Sequence, residues 1–237
     1  METIHFIQNF WEVAEMNKAS DVIVIGAGVV GCAAAYYLAK RGVKVTVLER
    51  REVACGASGR NGSGARQSGR DNRELPLAMF GVKHIWPTLG EELGEDIEYI
   101  QNGNMRLGKT EKDREALEEL VRQNSSLGLD VRMVYGQDIR ELIPDVSPEV
   151  QYATYCPTDG HANPMRTTLA LYKRARELGA QFITNIKVLK LERWLEGSAG
   201  YIQTTGSMRQ TASSCVRDLA PERSCVPWGW MSLCCLS

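Results

Sequence analysis

Short apolar runs separated by turn-forming residues recur along most of the chain, and their periods assign the elements. Asp21–Ile25 and Val43–Leu48 are β-branched and almost wholly apolar, the pattern of parallel strands buried on both faces. Between them Cys32–Lys40 is alanine-rich and closes at Arg41-Gly42, which predicts a helix. From Glu74 to Leu93 the apolar residues Leu75, Ala78, Val82, Ile85 and Leu89 share one helical face, with Pro87 as a kink or break. Tyr99–Gln101 and Met105–Leu107 flank Asn102-Gly103-Asn104, a hairpin signal. Thr110–Asp113 predicts a helix cap, and that helix runs to about Leu127 before Gly128. Val131–Val134 suits a strand, Gln137–Ile143 a short helix ended by Pro144, and Tyr152–Cys156 a strand lining a cavity. Met165–Leu178 is a second amphipathic helix, followed by a parallel-type strand at Gln181–Thr184.

The order is a βαβ start, then an antiparallel insertion, then a return to the first domain over Pro164–Leu191. The chemistry concentrates in the start. Gly26-Ala27-Gly28-Val29-Val30-Gly31 follows the first strand and opens the helix, and Glu49 ends the second strand. In such a turn the first glycine permits the tight bend, the second lets backbone reach a diphosphate, and the third lets helix pack on strand. The diphosphate rests on exposed N–H groups at the positive end of the helix dipole. Glu49 is placed to accept hydrogen bonds from an adenosine ribose. Gly26, Ala27, Gly28, Val30, Gly31 and Glu49 are therefore candidate dinucleotide-binding residues, with Arg50 beside them.

The next segment distinguishes FAD from NAD. Gly56-Ala57-Ser58-Gly59-Arg60-Asn61-Gly62-Ser63-Gly64 is too rich in glycine and small polar residues for an element interior. It suits a backbone-rich cradle in which Ser58, Gly59, Arg60 and Asn61 offer donors to phosphate or flavin oxygens. At these residues the chain resembles the FAD-dependent amine oxidase superfamily of D-amino-acid oxidase, glycine oxidase and the sarcosine oxidase β subunit. The likeness continues through Asp159-Gly160-His161-Ala162-Asn163-Pro164 and ends near Val188–Leu191, covering residues 19–192. It implies a Rossmann-like FAD-binding domain interleaved with an incomplete antiparallel α+β substrate domain. It also implies that FAD is the cofactor and that the Val188 backbone lies along its adenine side. The expected organisation is an extension at 1–18, the FAD-binding βαβ and flavin loop at 19–80, a partial substrate domain at 81–160 and a return at 161–192.

Composition adds exclusions. At 237 residues, 43% hydrophobic and 24% charged, the chain is ordinary for a folded protein, and a formal net charge of −1 gives no footprint for nucleic acid. The cluster Arg60, Arg66, Arg70 and Arg73 is expected to face cofactor phosphate or solvent. No apolar stretch approaches the ~20 residues of a membrane span, and Met1–Glu15 lacks a secretory pattern, so a cytoplasmic protein with reduced thiols is expected. No metal-ligand spacing occurs.

The tail reads differently. Cys215, Cys225, Cys234 and Cys235 stand among Ser, Arg, Pro and Trp with neither helical nor alternating period. Reading codons from the third base of each one used here, Trp228/Gly229 gives Gly, Trp230/Met231 gives Asp and Cys234/Cys235 gives Leu. Junctions over Ala212–Ala220 permit three apolar residues and then Cys-Ala-Gly-Pro-Gly. Residues 193–237 are thus expected to be translated out of frame and to pack poorly.

The resemblance implies oxidation of a small amine or amino acid (sarcosine, glycine, proline or a D-amino acid) by hydride transfer to flavin. The family's carboxylate-holding residues fall largely in its second half, so no catalytic residue is assigned and this chain is expected to be an inactive, truncated member. His161 is a possible base, though a turn role suits it better, and Tyr152 and Tyr155 suit sheet packing better than a substrate wall. Two alternatives stand beside this: an inert fragment, and an NAD-binding module without oxidase chemistry. Oligomeric state is not indicated.

Overall fold

The computed structural model describes residues 20–195, 198–203, 212–217 and 233–234, with side chains as far as Leu189. The extension at 1–18 and much of the expected out-of-frame tail lie outside these. The chain forms two compact units, 1–60 with 168–237, and 61–167.

The first unit is built on β1 (Ser20–Ile25), β2 (Val45–Leu48), β8 (Gln181–Ile183), β9 (Val188–Leu195), β10 (Ser198–Gln203), β11 (Ala212–Arg217) and β12 (Leu233–Cys234). They form one sheet in the order β8-β2-β1-β11-β10-β9, with β12 on β11. The β8-β2, β2-β1 and β1-β11 pairs are parallel, whereas β11-β10 and β10-β9 are antiparallel. All four residues of β2 are buried, as an apolar run in a parallel sheet requires. Thr46 is the one polar residue among them, and its hydroxyl bonds the buried Ser20 hydroxyl at 2.6 Å. Between β1 and β2 the helix α1 (Val29–Ala39) buries Gly31, Cys32, Ala35, Tyr36 and Ala39, a single stripe at helical spacing. It begins three residues earlier than its alanine run, because the end of the glycine turn already has helical backbone. The Val188 side chain packs on a core of Ile23 and Leu48.

The second unit holds β3 (Gly64–Ala65), α2 (Leu75–His84), α3 (Trp86–Leu93), β4 (Asn104–Gly108), α4 (Glu111–Ser126), β5 (Arg132–Tyr135), α5 (Gly136–Leu142), β6 (Tyr152–Cys156) and β7 (Gly160–His161). Strands β4-β6-β5 form an antiparallel sheet, and β3 pairs with β7. Helix α6 (Pro164–Glu177) then carries the chain back to the first unit. Val134, Ile139, Val150 and Ala153 form one core cluster, and Leu75, Leu129, Val131 and Cys156 another. The expected break at Pro87 falls at Ile85, between two helices, because a proline at the second helical position of α3 cannot donate to the preceding turn. Thr110 and Asp113 form the expected capping box of α4.

The hairpin across Asn102–Asn104 does not form. Ile100 instead exchanges backbone bonds with His161, both 2.9 Å, and β4 pairs with β6. Gly103, at φ +84°, turns the chain and donates its N–H to Asp159 O at 2.8 Å. A local turn signal yielded to pairing with a strand some fifty residues away.

Candidate functional site

Three glycines shape the turn between β1 and α1. Gly26 has φ +104°, a conformation open to glycine, and its N–H donates to Leu48 O at 2.8 Å. Gly28 is the N-cap of α1. A Cβ on Gly31 would lie 2.0 Å from Gly26 O and 3.3 Å from Val24 Cγ1, so helix and strand touch backbone to backbone there.

Ala27, 1% exposed, is held on both sides. Its N–H donates to Glu49 Oε2 at 2.8 Å. Its carbonyl accepts the Ala54 N–H at 3.0 Å and the Cys32 thiol at 3.6 Å. Glu49 Oε1 also accepts the Arg51 N–H at 2.8 Å. The carboxylate therefore faces the turn and is fixed there by two backbone donors. A carboxylate has about four acceptor positions, so two remain beyond these backbone donors. Burial, and secondarily the Glu49 charge, push the Cys32 thiol up to about 12, which keeps it protonated and inert.

The loop after β2 returns to this turn. Ala54 adopts φ +60°, uncommon for a residue with a side chain, and that bend aims its N–H at Ala27. A 3₁₀ turn over Ala57–Gly59 then brings the Ser58 hydroxyl to the Val29 N–H at 2.9 Å. Ser58 thus caps the first amide of α1 from outside the helix, at the end whose dipole favours an anion. Val30, Arg50 and Arg60 are exposed, Gly59 is half-buried, and all lie in this unit. The Val188 side chain faces the core, leaving only its backbone for a ligand.

Asn61 begins the second unit, where its Oδ1 accepts the Ser63 N–H at 3.0 Å. Of the arginine cluster, Arg73 pairs with Asp71 at 2.7 Å and Arg70 Nε donates to Arg66 O at 3.2 Å. Arg66 is half-buried and folds over Gly64, its Cγ 3.1 Å from where a Cβ would stand. Arg106 lies in the same way over Gly69, with Nη1 2.9 Å from that glycine's Cβ position. Among the described residues neither Arg66 nor Arg106 has an ion-pair partner. Sequence reasoning grouped Arg66 with its neighbours; the signal that singles it out is glycine two residues before, which only the fold shows to be a seat for its side chain.

His161 is a strand residue paired with Gly64 and Ile100. The Tyr152 hydroxyl bonds Glu111, and the Tyr155 ring lies 5.0 Å under the Arg132 guanidinium, so both tyrosines serve the sheet. Asn163 caps α6 through its side chain, accepting the Met165 and Arg166 N–H groups at 3.1 Å, with Pro164 at the first helical position. No helix among the described residues is long and apolar enough to cross a membrane.

Residues 21–216 match the family described as FAD dependent oxidoreductase, a match that runs beyond residue 192. The chain is 30% identical over 207 residues to the sarcosine oxidase subunit beta of Arthrobacter sp, covering 84% of this chain and 51% of that protein. The crystal structure of glycine oxidase from Geobacillus kaustophilus superposes with a TM-score of 0.78 at 25% identity, over 84% of this chain and 55% of that one. L-proline dehydrogenase from P. horikoshii gives a TM-score of 0.75 at 27% identity, over 85% and 53% of the two chains. The chain spans about half the length of these relatives.

Proposed function

The chain belongs to the FAD-dependent oxidoreductase family, whose cofactor is FAD, and from that premise we propose that it is the cofactor-holding part of an enzyme oxidising the C–N bond of a small amine or amino acid. The observation that supports this best is the convergence of Glu49 and Ser58 on the glycine turn. The residues present fit the cofactor: the close approach at Gly31 packs the N-terminus of α1 against β1, and Gly28, as its N-cap, bears no side chain where backbone must meet a diphosphate. The α1 amides and the Ser58 hydroxyl would hold the diphosphate, and Glu49 would accept from the ribose. Arg50 and Arg60 supply exposed positive charge, and Gly59 and Asn61 line the loop. Bound FAD supplies the hydride acceptor, and the imine left on the substrate hydrolyses in water.

Arg66 is the residue of the second unit best suited to hold a substrate carboxylate, as a half-buried arginine with no ion-pair partner among the described residues. Relatives named for sarcosine, glycine and L-proline support a substrate of this kind, since each of these compounds bears one carboxylate beside an amine. Because the chain spans about half of its relatives, we expect FAD binding without turnover. Titration of the purified protein with FAD, followed by assay of sarcosine, glycine, proline and D-amino acids with a dye acceptor, tests both parts. Absence of flavin binding, with NAD bound instead, would refute the assignment.

We further propose that the residues after about 192 are read out of frame. The family match to residue 216 and the parallel pairing of Ala212–Arg217 with β1 belong to the residues as read and count against this over 193–216, so its support is the composition of the tail. A run such as Ala-Ser-Ser-Cys-Val-Arg is poorly suited to a central parallel strand. Sequencing of the source DNA decides the matter.

A further inference from the structure

The pair Asp159-Gly160 is not absorbed by cofactor binding. Gly160 pairs with Ala65, and the Asp159 carboxylate holds Gln67, so consecutive residues grip the neighbours of Arg66 on each side. Asp159 is fully buried. Its Oδ1 accepts the Gln67 N–H at 2.6 Å and the Gln67 side-chain amide at 3.3 Å. Its Oδ2 accepts the Ser68 N–H at 3.2 Å and the Ser68 hydroxyl at 2.5 Å. The Ser68 hydroxyl in turn accepts from Asn104 Nδ2 at 3.2 Å, and the Gly69 N–H donates to Asn124 Oδ1 at 3.3 Å. Gln67 and Ser68 are 4% and 1% exposed, so their amides have no water to turn to and need an acceptor inside the protein. A carboxylate is the side chain that accepts at every position, and four donors meet it here.

Asp159 is itself fixed. Its carbonyl accepts the Gly103 N–H at 2.8 Å, and a Cβ on Gly160 would lie 2.4 Å from Ile100 O, so that peptide is wedged against Ile100. Arg66 is therefore mounted on a rigid turn, its side chain laid along Gly64.

We propose that Asp159 is a positioning residue for an oxyanion site at Arg66, acting through the turn Gln67–Gly69. This rests on the reading of Arg66 as the holder of a substrate carboxylate. Without the carboxylate the Gln67 and Ser68 amides seek other partners, the turn moves, and the guanidinium leaves its seat.

The test uses the full chain with acetate as probe, followed by ligand-observed NMR, and FAD titrated separately by fluorescence. Arg66→Gln abolishes acetate binding. Asp159→Asn, which sets an NH₂ group against donors, weakens acetate by about tenfold while FAD affinity stays within about twofold. Ser68→Ala, which keeps both amide bonds to the carboxylate, provides a milder step of about threefold should Asp159→Asn fail to fold. A parallel loss of acetate, FAD and amide protection throughout the unit would mean a merely structural role and overturn the proposal. Native acetate affinity in both Asp159→Asn and Ser68→Ala, with Arg66→Gln dead, would overturn it and leave the Arg66 reading standing. If the unaltered chain binds no acetate, the Arg66 reading falls and the proposal with it, whatever FAD does.

Discussion

Replacing Gly31 with alanine puts a methyl group where the structure has a carbonyl. The added Cβ would stand 2.0 Å from Gly26 O and 3.1 Å from Gly26 C, about 1 Å inside the closest approach that Cβ atoms make. Both obstacles are backbone, so neither can swing aside, and α1 must lift away from β1. Overpacking of this kind costs about 1–3 kcal/mol. The better helix propensity of alanine offsets about 1 kcal/mol of that, so stability should fall by no more than about 2 kcal/mol. Cofactor binding should suffer more. The α1 amides and the Ser58 contact move with the helix end, and loss of one hydrogen bond to a charged group is worth about 1.5–3 kcal/mol. FAD affinity should therefore drop at least about tenfold in a fluorescence titration. Gly81, in the interior of α2, is the control, since a Cβ there meets nothing within 4 Å. Gly81→Ala should raise stability by up to about 1 kcal/mol and leave FAD binding unchanged. If Gly31→Ala binds FAD as the unaltered chain does, backbone approach at the turn is not what the cofactor requires.

Glu49→Ala strands the buried Ala27 N–H, and its expected cost of about 1–3 kcal/mol should appear in urea unfolding together with weaker FAD binding; Glu49→Gln, which keeps one oxygen, should lose less. Because the Cys32 thiol is raised from its ordinary 9.0 to about 12, the folded state favours its protonated form. That stability is complete below pH 9 and declines as pH rises toward 12, so urea midpoints should fall more steeply above pH 9 in the unaltered chain than in Cys32→Ala. Asp113 sits below the usual carboxylate range, held there by the Thr110 and Lys109 N–H groups and the Thr110 hydroxyl. Its contribution is present above its unfolded value of about 4 and is lost as pH falls further, so hydrogen exchange in the first turn of α4 should accelerate in acid, and Thr110→Ala should produce the same acceleration at neutral pH.

The sequence by itself determined what depends on neighbours along the chain. The apolar runs of β1 and β2, the glycine turn, Glu49 at the strand end and the Thr110–Asp113 cap are each specified within a few residues. Each formed where its pattern lay. Tertiary structure decided what depends on residues brought from afar. Ile100 found His161 in place of its hairpin partner, Ser58 crossed to an amide twenty-nine residues away, and Asp159 closed over a turn ninety-two residues distant. The physical reason is that periodicity reports which face of an element is buried. It is silent on which distant backbone donors a fold will leave needing an acceptor, and those donors gave Glu49, Ser58 and Asp159 their partners.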